Sequence, residues 1–158
     1  MRFIAVVIAV VLASGTNTHA APFVSKPGGY AIAFPGPPTH ETRDAVANGM
    51  KVAVAFDTFV AQDDQFMVSY TDLPASAAAT PIDDSSIVAQ GTLIARKDLK
   101  LFGHPARDLE VALPEDLVVR VRFVDVGRRF YQIMVVAPAK LAHAPSVDAY
   151  FASFRLTR

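Results

Sequence analysis

The segment that most constrains the fold is Leu117–Ala137, which reads as a β-hairpin. In its first arm, Leu117 to Val124, Val119, Val121 and Phe123 alternate with Arg120 and Arg122. Successive side chains of a strand point to opposite faces, so this arm is expected to have one buried and one wet face. The second arm, Phe130 to Ala137, is β-branched and aromatic, and its apolar run is broken only by Gln132. That composition suits a strand in the middle of a sheet. Asp125–Arg129 joins the arms, and Gly127 supplies the positive φ that a short hairpin loop requires.

Other strands follow from the same alternation. Tyr30, Ile32 and Phe34 share one face of a short strand that Pro35-Gly36-Pro37-Pro38 ends, because proline cannot donate to a ladder. Thr39–Ala47 is polar and suits an edge strand, and Asn48-Gly49 is a strong turn signal. Lys51–Val60 is predicted as a strand with Val52, Val54 and Phe56 inward, and Gln65–Leu73 as one with Phe66, Val68 and Tyr70 inward. Thr92–Leu101 is expected to turn Leu93, Ala95, Leu99 and Leu101 inward, and Arg107–Leu113 to return with Leu109, Val111 and Leu113. Between Pro74 and Gly91 the pattern is mixed. Ala75–Ala79 has helical propensity, Pro81 interrupts it, and Asp83-Asp84 caps a short helix ending near Gln90. At the C-terminus Val147, Tyr150, Phe151 and Phe154 form one apolar helical stripe, with Ser146 as the expected N-cap. The predicted fold is therefore α+β: an antiparallel sheet of six to seven strands, with a C-terminal helix and a short mid-chain helix against it.

The first twenty residues have the layout of a secretory signal. A short basic start, Met1-Arg2, precedes an unbroken apolar run from Phe3 to Ala13, and small residues Thr18 and Ala20 precede the expected cut. The run is about half of the roughly 20 residues that span a bilayer, so a cleaved signal is favoured over an anchor. The expected organisation is a signal over 1–20, a flexible lead-in over 21–29 and one domain over 30–158. The destination is the periplasm or the exterior, with no membrane span after cleavage. Lys and Arg together number 15, as do Asp and Glu, and the signal removes Arg2. The remaining chain is near neutral, which argues against a nucleic-acid partner. The absence of cysteine excludes disulfides and thiolate metal sites.

Several landmarks occur in a set order: Gly29-Tyr30-x-Ile32-x-Phe34-Pro35, Ser69-Tyr70-x-Asp72-x-Pro74, Gly103-x-Pro105-x-Arg107, Arg129-x-Tyr131 and Phe151-x-Ser153-Phe154. In this order the chain resembles poorly characterised bacterial envelope proteins with a fold similar to PsbP and Mog1. That resemblance implies an antiparallel sheet with helices packed on it. The matched positions are turn and core residues, so it implies fold rather than function. PsbP proteins are extrinsic photosystem subunits and Mog1 binds a small GTPase, and the residues of neither role carry over to this chain.

No phosphate-binding glycine loop and no Gly-x-Ser-x-Gly elbow is present. His40, His104 and His143 are widely separated and lack a second ligand at close spacing, so neither a metal nor a cofactor is expected. Asp63-Asp64, Asp83-Asp84 and Glu115-Asp116 all fall at predicted turns or caps, where acidic residues are common. The most suggestive set is Arg120, Arg122, Arg128 and Arg129. On an outer sheet face these four arginines would hold a small anionic ligand or the carboxylates of an envelope protein. The competing account is a solvated face with Asp98, Asp108 or Glu110 as cross-strand partners. The sequence thus favours a non-catalytic periplasmic binding or accessory module. The alternatives are a small exported hydrolase using scattered residues such as Ser69, His104 and Asp108, or a purely structural envelope protein.

Overall fold

A computed structural model describes residues 21–47, 49–75 and 82–157. The predicted signal lies outside the described residues, as does most of Ala75–Ala79. In chain order the elements are β1 (Phe23–Ser25), β2 (Tyr30–Ile32), β3 (Thr39–Ala47), β4 (Met50–Val60) and β5 (Gln65–Asp72). Then come α1 (Ser85–Val88), β6 (Thr92–Leu101), β7 (His104–Leu113), β8 (Leu117–Val126) and β9 (Arg129–Pro138). The chain closes with α2 (Pro145–Ser153) and β10 (Arg155–Leu156). The architecture is α+β, as the alternation predicts. Seven antiparallel strands form the main sheet in the order β3-β4-β5-β9-β8-β7-β6. A second sheet, β1-β2-β10, has three strands and is also antiparallel.

The predicted hairpin is β8–β9, closed by Val126 paired to Arg129 with Gly127 at φ 67°. Strand β9 is the fourth and central strand of the seven, between β5 and β8, which matches its nearly unbroken apolar run. One face of the main sheet carries Phe66, Val68, Tyr70, Val124, Tyr131, Ile133, Val135 and Ala137. The β2 residues Tyr30, Ile32 and Phe34 pack there together with Val147, Tyr150, Phe151 and Phe154, the predicted helical stripe. The opposite face carries Leu109, Val121 and Phe123 beneath Ile82, Ile87 and Val88 of the α1 segment. That segment is also tied electrostatically. Asp84, itself buried, accepts from Arg96 and Arg107 at 3.0 and 3.1 Å.

Five expectations are corrected. The lead-in over 21–29 contains strand β1, anchored by the Phe23 ring 5.6 Å from that of Phe34 and by Gly28 N–H donating to Ser25 Oγ at 3.1 Å. In β4 the residues facing the α2-side core are Ala55, Asp57 and Phe59, because β5 sets Ala55 opposite Tyr70 and Phe59 opposite Phe66; of the expected inward set on the other phase Val52 is buried, while Val54 and Phe56 are half-buried. Strand β6 is an edge whose Leu93 and Ala95 face solvent, and only Leu99 and Leu101 reach the core. Lys97 and Lys100 charge that edge, as edges exposed to solvent usually require. The N-cap of α2 is Ala144, with Pro145 at the first helical position, where its missing N–H costs nothing. Finally, Arg120 and Arg122 do not stand on a wet face. They share the α2 side of the sheet with Val124, since β8 pairs Arg120 with Val135 and Arg122 with Ile133.

Candidate functional site

The four arginines are dispersed and each is engaged by protein acceptors. Arg120 Nη1 donates to Ala142 O and Asp148 Oδ1, both at 2.8 Å. Arg122 grips Asp108 with two hydrogen bonds of 2.6 and 2.7 Å. Both guanidiniums lie over the Phe151 ring, at 5.1 and 5.8 Å from its centroid, so they cover the flank of α2. Arg128 Nε donates to Leu73 O at 3.2 Å. Arg129 holds both Asp72 oxygens, at 2.7 and 2.6 Å, and donates Nη1 to Pro27 O and Gly28 O. Tyr131 Oη adds a 2.6 Å bond to the same Gly28 carbonyl. Arg129 and Tyr131 therefore pin the β1–β2 turn onto the main sheet.

The hydrolase set does not assemble. Ser69 is on β5 and Asp108 on β7, with β9 and β8 between them. Neighbouring strands lie about 4.8 Å apart, so those backbones are roughly 14 Å apart. Ser69 also belongs to the alternate face from Phe66 and Val68, whereas Asp108 is opposite Arg122 on the α2 face. Among the described residues no group of three or more His, Cys, Asp or Glu side chains converges as a metal site would.

The polar constellation that does form involves residues from β2, β3 and β4. Asp57 is 1% exposed, on the core phase of β4. Its Oδ2 accepts from Tyr30 Oη at 2.5 Å, and its Oδ1 lies 2.7 Å from His40 Nδ1. His40 and Asp57 are directly paired across β3 and β4, while the His40 side chain stays 54% exposed. A buried carboxylate requires such partners, because an unpaired one costs several kcal/mol of solvation. A carboxylate oxygen accepts, so His40 Nδ1 carries the proton of this bond, and in a neutral ring Nε2 is then the acceptor. Burial, then the Asp57 hydrogen bond and charge, pushes the Tyr30 hydroxyl far above the ordinary tyrosine range, so it remains a donor. Tyr150 is raised in the same direction, by burial first and Asp57 second. Its hydroxyl is buried and has no hydrogen-bond partner among the described residues.

Asp57 and His40 line a groove of about 360 Å3 whose other walls are Phe23, Val24, Ser25, Lys26 and Pro27. The volume is within the range of about 300–1,000 Å3 seen for small-molecule sites, and the lining has their usual character of apolar walls with few polar groups. The walls come from β1 and its turn, which Arg129 and Tyr131 hold in place. Sequence reasoning missed this site for two reasons. The composition of 21–29 predicts only a flexible lead-in, and the alternation in β4 favours the phase of Val52, Val54 and Phe56 over that of Asp57. The Asn48-Gly49 turn carried a usable signal: a tight hairpin there sets Ala47 opposite Met50 and so His40 opposite Asp57.

No family model and no curated protein matches the chain. A solved structure does. The cyanobacterial PsbP, CyanoP, of Synechocystis sp. PCC 6803 superposes with a TM-score of 0.58 at 14% identity, over 91% of this chain and 96% of that one. At that identity the likeness establishes a PsbP-like fold. A protein of unknown function from Pseudomonas aeruginosa, PA94, covers 71% of this chain and 94% of its own at 14% identity, with a TM-score of 0.43.

Proposed function

We propose that this chain is a non-catalytic binding or accessory module of the periplasm, and that its ligand occupies the groove over His40 and Asp57. The observation that carries this reading is the buried Asp57 carboxylate, hydrogen-bonded to an exposed histidine, with both residues lining a groove of ligand size. The arginines are read as parts of the scaffold, since each already has acceptors.

The non-catalytic reading rests on the groove's serine. Ser25 is buried, accepts from Gly28 N–H, and among the described residues makes no hydrogen bond to His40. Among the described residues the His40–Asp57 pair thus has no hydroxyl nucleophile hydrogen-bonded to the imidazole. The periplasmic destination rests on the layout of Met1 to Ala20. Among the described residues no helix is long and apolar enough to cross a membrane.

A fragment library titrated into isotopically labelled protein tests the proposal. Shifts clustered on Phe23–Pro27, His40 and Asp57 are expected. Ligand shifts confined to another surface, or hydrolysis of an ester, peptide or phosphate panel that is abolished in His40→Ala, would overturn it.

A further inference from the structure

We infer that two copies of this chain join through their β3 edges, antiparallel about a two-fold axis at Thr42, into one continuous sheet. Strand β3 ends the seven-stranded sheet, and residues 39–46 are all exposed. An edge open to water is usually blunted by lysine, proline, a bulge or brevity. The far edge, β6, has Lys97, Lys100 and a register shift after Leu93. Strand β3 runs for nine residues with no lysine, no proline and an unbroken register against β4. Two bonds fix which of its backbone groups point outward. The Ala53 carbonyl accepts from Thr71 Oγ1 of β5 at 2.8 Å, so it points away from β3. The Thr58 carbonyl accepts from Thr39 Oγ1 at 3.2 Å, so it points toward β3. Antiparallel ladders alternate residue by residue, and Asp44 is the register partner of Ala53. His40, Thr42 and Asp44 therefore direct their N–H and C=O groups out of the sheet, with no strand beside them among the described residues.

The charges select a second copy and set its register. From position 40 to 44 the strand reads His, Glu, Thr, Arg, Asp, and the signs invert about Thr42. Rotated about Thr42, the strand meets its own copy with Glu41 opposite Arg43 on both sides of the axis. His40 then falls opposite Asp44, and Thr42 opposite Thr42. Opposite charges and threonine pairs directly across two strands are favourable, and like charges are not. Moving the axis by one residue sets Arg43 on Arg43 or Glu41 on Glu41. The Thr42 register also matches the outward backbone groups. Thr42 with Thr42, and His40 with Asp44 on each side, make roughly six N–H···O bonds in an antiparallel ladder. In the single chain Arg43 pairs with Glu41 at 2.6 Å and Lys51 with Asp44 at 2.8 Å, but all four side chains are about half-exposed or more, so these pairs are weak competitors. The contact is isologous, so it closes as a dimer. It also sets Asp44 of the second copy beside His40, which lines the groove.

Sedimentation equilibrium of the mature chain tests the inference. The average mass should climb from one chain toward two as concentration rises to about 1 mM, and added salt should weaken the association. Glu41→Arg and Arg43→Glu each make both facing pairs like-charged, and each alone should weaken dimerisation about tenfold or more. Mixed in equal amounts, the two variants regain both opposite pairs, and association comparable to that of the native chain is expected. Thr42→Pro removes an outward donor that β4 does not use, so it should abolish the dimer and leave the thermal midpoint nearly unchanged. The charge variants alter no backbone group and decide the matter if Thr42→Pro does not fold. A single-chain mass at every concentration up to about 1 mM would overturn the inference. A dimer that survives in both single charge variants, or a mixture no more associated than its components, would overturn it as well.

Discussion

Phe154→Ala probes the joint between the two sheets. Phe154 is 1% exposed and caps the C-terminal end of α2. Its ring stacks on Tyr30 at 5.7 Å and meets Tyr131 edge-on at 5.6 Å. Removing a buried phenylalanine ring typically costs about 3–5 kcal/mol. Each aromatic pair adds about 0.5–1.5 kcal/mol beyond burial, and two are lost here, so the cost should be at the top of that range, about 4–5 kcal/mol. A domain with a typical stability of about 5–15 kcal/mol would lose a large share of it. Ala152→Ser, on the exposed side of the same helix, is the control and should cost less than about 1 kcal/mol. Urea denaturation at constant m-value reads both. A loss below about 2 kcal/mol for Phe154→Ala would refute the packing argument, because it would mean that the ring leaves neither a cavity nor broken pairs.

Four further expectations follow, three from the geometry and one from the sequence. Arg129→Ala should destabilise by about 1–2 kcal/mol, the value of charge-assisted bonds discounted for the exposure of Asp72, and should loosen amide-exchange protection at the β1–β2 turn. The same variant tests a pH dependence: hydrogen bonds from Arg129 hold Asp72 below its ordinary carboxylate value of 3.8. That contribution is present above the unfolded value and is lost as pH falls through the folded one, so Arg129→Ala should flatten the acid limb of stability measured by denaturation between about pH 5 and 2. Tyr150→Phe should leave stability unchanged or raise it by about 1 kcal/mol in thermal melts, because the hydroxyl removed is buried without a partner. Mass spectrometry of the exported protein should find its N-terminus at Ala21 or one residue to either side, and a full-length protein held in the membrane would contradict this.

The fold was legible where one period dominated. Strands β8 and β9, the Tyr30-Ile32-Phe34 face and the Val147-Tyr150-Phe151-Phe154 stripe all follow from spacing alone. It was not legible where both phases of a strand are apolar. In β4, Val52, Val54 and Phe56 compete with Ala55, Asp57 and Phe59, and only pairing with β5 decides between them. The arginines misled because alternation with valine implies a wet face only when nothing covers it. Here α2 covers that face, and Arg120 and Arg122 lay their guanidiniums over Phe151 while their heads bind Asp148 and Asp108. The second sheet was hidden because β1 and β10 have only three and two residues, too short for a period, and the pairing of β10 with β2 is a tertiary event. The candidate site depends on that sheet, so it was hidden with it.

The bond between His40 and Asp57 holds the candidate site together, and the imidazole nitrogen shifts of His40 measure it directly. In the neutral state the Nδ1–H tautomer is expected, with Nε2 unprotonated, and Asp57→Asn should abolish that preference while Tyr30→Phe should preserve it. An Nε2–H tautomer, or two tautomers in the proportions of a free histidine, would show that Nδ1 does not donate to Asp57 and would contradict the candidate site.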